Sequence, residues 1–540
     1  MALRPLASLD VWWHLSMGRG VVEAAGRRFP DPVGPEGREY VDPEWLYDLL
    51  LYGVHGVAGV PGIVLLTALL AALSALAIAT LCDQHDSEGG LVLAALGVAG
   101  TTFHFTGRPQ AAFLVLLPLV MWAGKTRRMG LLVLAGLLWT QCHSSMVLLP
   151  LVAGLCLWPL DRRGWVTVAV CAALVLVAGP FGLDVVPQVL GHAEVAGIED
   201  MSPLPAEGWL PWGLLEHRRS LSPLILEILL LGGLVGALRA RRVNIADVGL
   251  ALLGLAMALS ARRFIPAGCV LALPFAAPLL SSRLPRSSGL LALVLLAAYG
   301  SWLRPPSLRL DPSSVPVGAA EVLAGLSPGQ LFNDYDVGGY LGWATPHRVS
   351  IDGRTPTHFS AEEFQAALAI SEDPARFFAL EADYAGVVVD RRSPLCRALS
   401  ASAEWGGAWS GEQVAVFLPG AEDSFPVCVG ANEMLAACRE GDLAGLERMI
   451  SAAPSSHHAR RLAALHLIEC GARDLDRAEA LLLEAEAIQP THVENSWVRG
   501  MLAFRRGDFD DALFWLDRAG DHPPSQRARE VIRNLVEGGP

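Results

Sequence analysis

The sequence predicts a polytopic α-helical membrane protein followed by a small α/β domain and a C-terminal solenoid of helical repeats. Three observations predict it: an excess of apolar residues, a fall in hydropathy with a change of period after residue 304, and a 34-residue repeat near the end. AVILMFWYC residues make up 52%, and adding 54 Gly while removing 7 Tyr gives about 61%, against about 45–50% for soluble domains. Charged residues are 18%, where about 25% is typical. Mean hydropathy is +0.40. Such a chain needs an apolar solvent for part of its surface.

The first segment, residues 1 to 59, reads as an external loop. It carries an acidic and aromatic motif, then a short amphipathic helix over 44 to 58. Trp12, Trp13 and Trp45 suit a membrane–water interface. Residues 60 to 303 read as a bundle of about ten membrane helices: roughly 60 to 82, 90 to 106, 110 to 124, 129 to 143, 145 to 160, 164 to 181, 222 to 238, 245 to 260, 264 to 280 and 288 to 303. Their Gly, Ala and Leu content suits close packing in lipid.

Basic residues near span ends mark the cytoplasmic side. Lys125, Arg127 and Arg128, then Arg162 and Arg163, then Arg239, Arg241 and Arg242, then Arg283 and Arg286 all fall on one face of a ten-span bundle. The opposite face carries residues 1 to 59, the Arg108 turn, the Trp139 to Ser145 turn, the loop 182 to 221 and everything after 304. Arg262 and Arg263 also fall there, against the charge rule. Wrong-side arginine is either functional or snorkels to headgroups, and both readings stand.

Residues 304 to 425 read as an extracytoplasmic α/β domain from about 312. LFNDY, HRVSID and YAGVVVD are short strands, with AEEFQAALAI and PARFFALEA as helices between them. Residues 426 to 540 are helical repeats. A period of 34 residues relates Ala478 to Ala512, Ala485 to Ala519 and Pro490 to Pro524, the spacing of a tetratricopeptide repeat (TPR). EGDLAGLERMISAAP around Gly441 reads as a degenerate earlier unit.

Composition also bounds the chemistry. A net charge of −13 removes the attraction that nucleic acid requires. Nine cysteines show no CxxC pair and no Cys/His ligand spacing, so neither a zinc nor a redox motif is present. Without GxGxxG or GxxxxGK[ST], no nucleotide cofactor is expected. Cys428 and Cys438 either bridge in an oxidising compartment or stay free, and His457 and His458 read as solvated. Asp352 and Arg354 are expected to pair with each other.

Asp10 and His14 stand at i and i+4, on one face of a helix. A partly desolvated carboxylate near a His is a candidate general base, or else a solvated acid at a helix start. Gly338 and Gly339 either let backbone approach a ligand or serve a strand-to-helix joint. His143, with Ser144 and Ser145, either contacts a sugar or phosphate or is an interfacial polar group.

DVWWHLSMGRGVVEAAGRRFPDP with PEWLYDLLLY resembles the first external loop of large multi-pass bacterial proteins related to GT-C glycosyltransferases. The likeness continues in RPQ at 108 to 110, WTQCHSS at 139 to 145 and NDYDVGGYLGWATPHRVSIDGR at 333 to 354. The resemblance implies sugar transfer from a polyprenyl-phosphate carrier on the outer face, with an acid of the first loop as base. By position Asp10 is that base and His14 its neighbour. Asp31 and Glu44 would orient acceptor or a divalent cation, and Arg108, Arg262 and Arg263 would clamp phosphate. It further implies a bacterial inner-membrane location with both C-terminal domains extracytoplasmic, membrane lipid as surroundings, and a groove in the repeats for a peptide or protein partner. The family places a membrane helix before this loop, and only nine residues precede Asp10, so an upstream start or a lost first span is expected. Two other classes remain open: a non-catalytic membrane scaffold that assembles through its repeats, and a transporter of lipid-linked saccharide.

Overall fold

The computed structural model describes residues 3–83, 90–102, 105–185, 202–205, 209, 221–240, 244–280, 306–355, 357–380, 382–420, 427–428, 442–470, 474–490, 492–520 and 522–537. The expected span 288 to 303, most of the loop 182 to 221, and Arg241, Arg242, Arg283, Arg286, Cys438 and Gly441 lie outside them. The chain forms two compact units. One comprises Met1–Pro32, Gly37–Leu310 and Arg354–Gln365, the other Val33–Glu36, Asp311–Gly353 and Ala366–Pro540.

The first unit opens with α1, Asp10–Ala24, whose first turn carries Asp10 and so sets a carboxylate at the positive end of the helix dipole. The hairpin β1, Arg28–Pro30, and β2, Glu39–Val41, pairs antiparallel with Phe29 opposite Tyr40. Then comes α2, Trp45–Asp83, which joins the expected amphipathic stretch to the expected first span. It is not one straight rod: Gly59 sits at φ 58° and ψ −149°, a conformation open essentially to glycine alone, and Pro61 follows.

The apolar runs then fold as α3, Gly90–Thr101; α4, Gln110–Lys125; α5, Met129–Cys142; α6, Leu149–Cys156; α7, Arg162–Ala173; α8, Ser222–Ala240; α9, Ile245–Ser260; and α10, Ile265–Leu280. Two starts are capped by side chains, Asp161 on α7 and Asn244 on α9, each accepting a backbone N–H. Their buried faces share one core in which Trp139, Leu149, Leu226, Leu250 and Leu271 are almost fully enclosed. Their outer faces stay apolar, with Leu65, Leu69, Leu76, Leu231, Leu252 and Leu259 all more than half exposed.

The expectation of about ten spans is corrected in length. Among the described residues only α2 and α8 are long and apolar enough to cross a membrane, while α3, α4, α5, the Ser144–Cys156 stretch and α9 are apolar helices of 10–17 residues. At about 1.5 Å per residue such helices fall short of a ~30 Å hydrocarbon core. The segment 145 to 160 breaks into a 3-10 turn, Ser144–Leu148, and α6, and the segment 164 to 181 ends in a π-turn, Leu174–Ala178.

In the second unit α11, Val317–Ala324, precedes β3, Gln330–Asn333; α12, Tyr335–Ala344; and β4, Arg348–Val349. After α13, Ala361–Glu372, and α14, Pro374–Phe378, come β5, Tyr384–Asp390; α15, Pro394–Ser400; β6, Trp405–Ser410; and β7, Val414–Pro419. The sheet order is β4-β3-β5-β7-β6, with β3 parallel to β4 and β5, and β7 antiparallel to β5 and β6. Helical crossovers serve the parallel pairs and a tight turn serves β6 to β7. A Cβ on Gly338 would lie 1.9 Å from the Ile351 carbonyl oxygen, so close approach within the unit explains that glycine.

Six consecutive helices end the chain: α16, Asp442–Ala452; α17, His457–Glu469; α18, Leu475–Ile488; α19, Val493–Arg506; α20, Phe509–Arg518; and α21, Pro523–Glu537. The alanines related by the 34-residue period, Ala478 with Ala512 and Ala485 with Ala519, are all buried. Cys428 is bonded to Cys396, not to Cys438, across a separation of 32 residues, and Cys470 is also disulfide-bonded. Spacing cannot choose among cysteine pairings, because strands and helices decide which residues meet.

Candidate active site

The first unit gathers most of the sequence-predicted residues. Asp10 does not pair with His14. Its Oδ2 lies 2.8 Å from Arg108 Nη2, and both side chains are about 30% exposed. Arg108, in the turn before α4, also donates from Nε to Ser8 Oγ at 3.2 Å. One turn further along α1, His14 is buried with its Nδ1 2.7 Å from Asp48 Oδ1, and Trp13 lies against the imidazole at 3.5 Å. Burial, then Arg108 and His143, hold the imidazole well below its ordinary pKa, so it is neutral at pH 7.

Asp42, Glu44 and Asp48 form a buried acidic set. Asp42 Oδ1 accepts the Glu44 N–H at 2.9 Å. Burial pushes Asp42 up to about 7, and burial pushes Glu44 up to about 8 against the opposing hydrogen bond from Ser144. Asp42 and Asp48 interact as a carboxyl pair, yet the Oδ2 atom of each is buried with no donor facing it. A shared proton satisfies that pair. Glu44 Oε1 accepts the Ser144 N–H at 3.3 Å, and Arg263 is close enough to favour its ionised form. The Arg262 N–H donates to the Ser202 carbonyl at 3.1 Å. Both arginines lie in a 3-10 turn, Arg262–Phe264, at the start of α10.

His143 is buried. Its Nδ1 accepts the Ser145 N–H at 3.0 Å, and its ring stacks on Phe113 at 4.9 Å. Since Nδ1 accepts, the proton of the neutral ring sits on Nε2. Nearby, Trp45 Nε1 donates to Gln141 Oε1 at 2.9 Å, tying the start of α2 to the end of α5.

Asp31 belongs to a separate cluster. Arg354 donates to both its oxygens at 2.9 and 3.0 Å, and His358 Nε2 lies 2.6 Å from Oδ2. Burial alone would raise this carboxyl, but Arg354 and His358 hold it well below the usual carboxylate range. Tyr40 and Phe359 flank the guanidinium at 5.1 and 5.6 Å. The guanidinium fork matches both carboxylate oxygens of Asp31.

In the second unit the histidines expected to be solvated are buried. His458 Nδ1, His457 Nε2 and His492 Nε2 lie 3.2, 3.4 and 3.5 Å from Glu412 Oε1, in the β6–β7 turn. Arg461 reaches the same oxygen and also Glu494 Oε2, the latter at 2.7 Å. Burial opposes the charge of Glu412, but Arg461 and the histidines hold it well below its ordinary range. Two triads have metal-like spacing, Glu412/His457/His492 and Glu412/His458/Glu494. The Arg461 guanidinium already supplies the positive charge of the second. In the first, His492 Nδ1 accepts the Glu494 N–H at 3.3 Å, which leaves its Nε2 protonated toward Glu412 and unsuited to a metal. The repeat sequence held the signal for this cluster, two adjacent histidines and an arginine on one helix, but a partner 46 residues away left no local mark.

No protein-family model matches the chain, and no curated protein matches it in sequence. Among solved structures, the fold is similar to archaeal oligosaccharyltransferase AglB from Archaeoglobus fulgidus in complex with an inhibitory peptide and a dolichol-phosphate, with a TM-score of 0.49 and 12% identity over 75% of this chain and 69% of that one. It is similar to the apo form of the Archaeoglobus fulgidus oligosaccharyltransferase, with a TM-score of 0.45 and 13% identity over 78% and 71%. The complex of that enzyme with Zn and sulfate gives a TM-score of 0.41 and 12% identity over 77% and 70%.

Proposed function

We propose that the chain is a membrane glycosyltransferase that moves a sugar from a polyprenyl-phosphate carrier to an acceptor at the outer face of a bacterial inner membrane. The observation that carries this reading is the half-exposed Asp10–Arg108 pair at 2.8 Å, set one helical turn from the buried His14–Asp48 pair. Displacement at an anomeric carbon needs a carboxylate to take the acceptor proton and a guanidinium to neutralise the leaving phosphate. Asp10 takes the first role and Arg108 the second, with Arg263 and Arg262 as further cations on the phosphate. His14, neutral and held by Asp48, positions α1.

The redox asymmetry of the chain supports the placement of the second unit outside the cytoplasm. Among the described residues the free cysteines Cys82, Cys142, Cys156, Cys171 and Cys269 all lie in the first unit, and the disulfide-bonded ones in the second. Disulfides persist in oxidising compartments. On this reading α16 to α21 are tetratricopeptide-type repeats that offer a groove to a peptide or protein partner.

The test is sugar transfer from several polyprenyl-phosphate sugars by purified full-length protein and by Asp10→Asn. Transfer is expected to fall by at least about 10²-fold in the variant with its melting temperature kept, the scale of losing a general base. Transfer at the unaltered rate removes Asp10 from the mechanism.

A further inference from the structure

The second unit holds a cavity that the proposed transfer does not use. It is about 20 Å³ and lies between the Pro312–Gly318 segment, the β6–β7 hairpin at Trp409 to Val414, and the start of α17 at Ser455 to His458. That volume admits a group the size of one water or a carboxylate head.

Two of its lining residues carry buried polar atoms with no hydrogen-bond partner among the described residues, Trp409 Nε1 and Ser455 Oγ, while His457 Nε2 faces Glu412 Oε1 at 3.4 Å. Trp409 is 4% exposed. Such orphans are rare in folded proteins, and two around one cavity mark a missing partner. The tryptophan N–H can only donate and the serine hydroxyl can donate, so the missing partner is an acceptor. The cavity also meets the N-terminus of α17, a 13-residue helix capped by Ser456, where the free N–H groups and the helix dipole favour negative charge. Glu412 lines the cavity too, but Arg461 and the surrounding histidines neutralise it.

We infer that this cavity is a binding subsite for a small carboxylate, whose two oxygens accept from Trp409 and Ser455 beside the start of α17. The carboxylate comes either from a free small acid or from the C-terminus of a peptide whose remainder lies in the open mouth. The inference is independent of the glycosyltransferase reading, since every residue it uses lies in the second unit and none takes part in sugar transfer.

Titration calorimetry of detergent-solubilised full-length protein with sodium acetate, against sodium chloride at equal ionic strength, tests it. Saturable acetate binding is expected, weakened about tenfold or more in Ser455→Ala and in Trp409→Phe, the scale of one lost bond to a charged group. Ser455→Ala removes only an unpartnered hydroxyl, so it keeps the test valid if Trp409→Phe disturbs the packing of β6. A tripeptide with a free C-terminus that displaces acetate, while its amide does not, identifies a peptide as the source, and failure of both identifies a free acid. No acetate binding, equal binding of chloride, or equal acetate binding by the Ser455→Ala protein overturns the inference.

Discussion

At the scale of single residues, the first unit keeps two kinds of buried carboxyl that respond oppositely to pH. Asp42 and Glu44 hold their protons up to about 7 and about 8, against ordinary values of 3.8 and 4.5. In the unfolded chain both ionise near pH 4, so between there and pH 7 to 8 the folded state binds more protons and stability falls as pH rises. Thermal unfolding in detergent is expected at a higher temperature at pH 5 than at pH 8. Asp42→Asn and Glu44→Gln should each shrink that difference, mainly by raising the value at pH 8. Asp31 behaves the other way: its depressed pKa gives stability that is present above about pH 4 and lost as pH falls below it. Asp31→Asn removes the carboxylate that the buried Arg354 guanidinium grips with both terminal nitrogens, and a cost of about 3–5 kcal/mol is expected in denaturant titrations. Neither partnership could be read from local pattern. Asp31 and Arg354 stand 323 residues apart and His14 and Asp48 stand 34 apart, and contacts of that kind leave no trace in helix or strand periodicity.

At the scale of elements, what the sequence showed is what repeats locally. The apolar runs from 60 to 280 coincide with helices because length and hydropathy are local properties, and β3, β4 and β5 fall on LFNDY, HRVSID and YAGVVVD. The hairpin β6–β7 went unread although WGGAWSGEQVAVFLP flanks a glycine-containing turn, since the glycines at 406 and 407 mask the strand pattern. Its strand β6 sits beside the Cys396–Cys428 bridge, whose closed loop spans 32 residues of separation. Cys396→Ser is expected to cost about 3–4 kcal/mol of stability by freeing that loop in the unfolded chain. Tandem mass spectrometry of unreduced protein should show the 396–428 cross-linked peptide, and finding Cys428 linked to Cys438 instead would refute the pairing.

At the scale of the whole molecule, the first unit exposes apolar side chains along α2, α8 and α9 that water would not tolerate as one broad surface. Alkaline carbonate is therefore expected to leave the protein in the membrane pellet, and its appearance in the supernatant would contradict membrane embedding. The break at Gly59 gives that embedding a mechanical property. A continuous rod from Trp45 to Asp83 would act as a lever, carrying any tilt forced by a thicker or thinner bilayer straight to the carboxyl of Asp48. On the membrane reading, a single glycine at φ 58° would instead act as a joint, letting the half after Gly59 lean while the acidic half keeps its registry with His14.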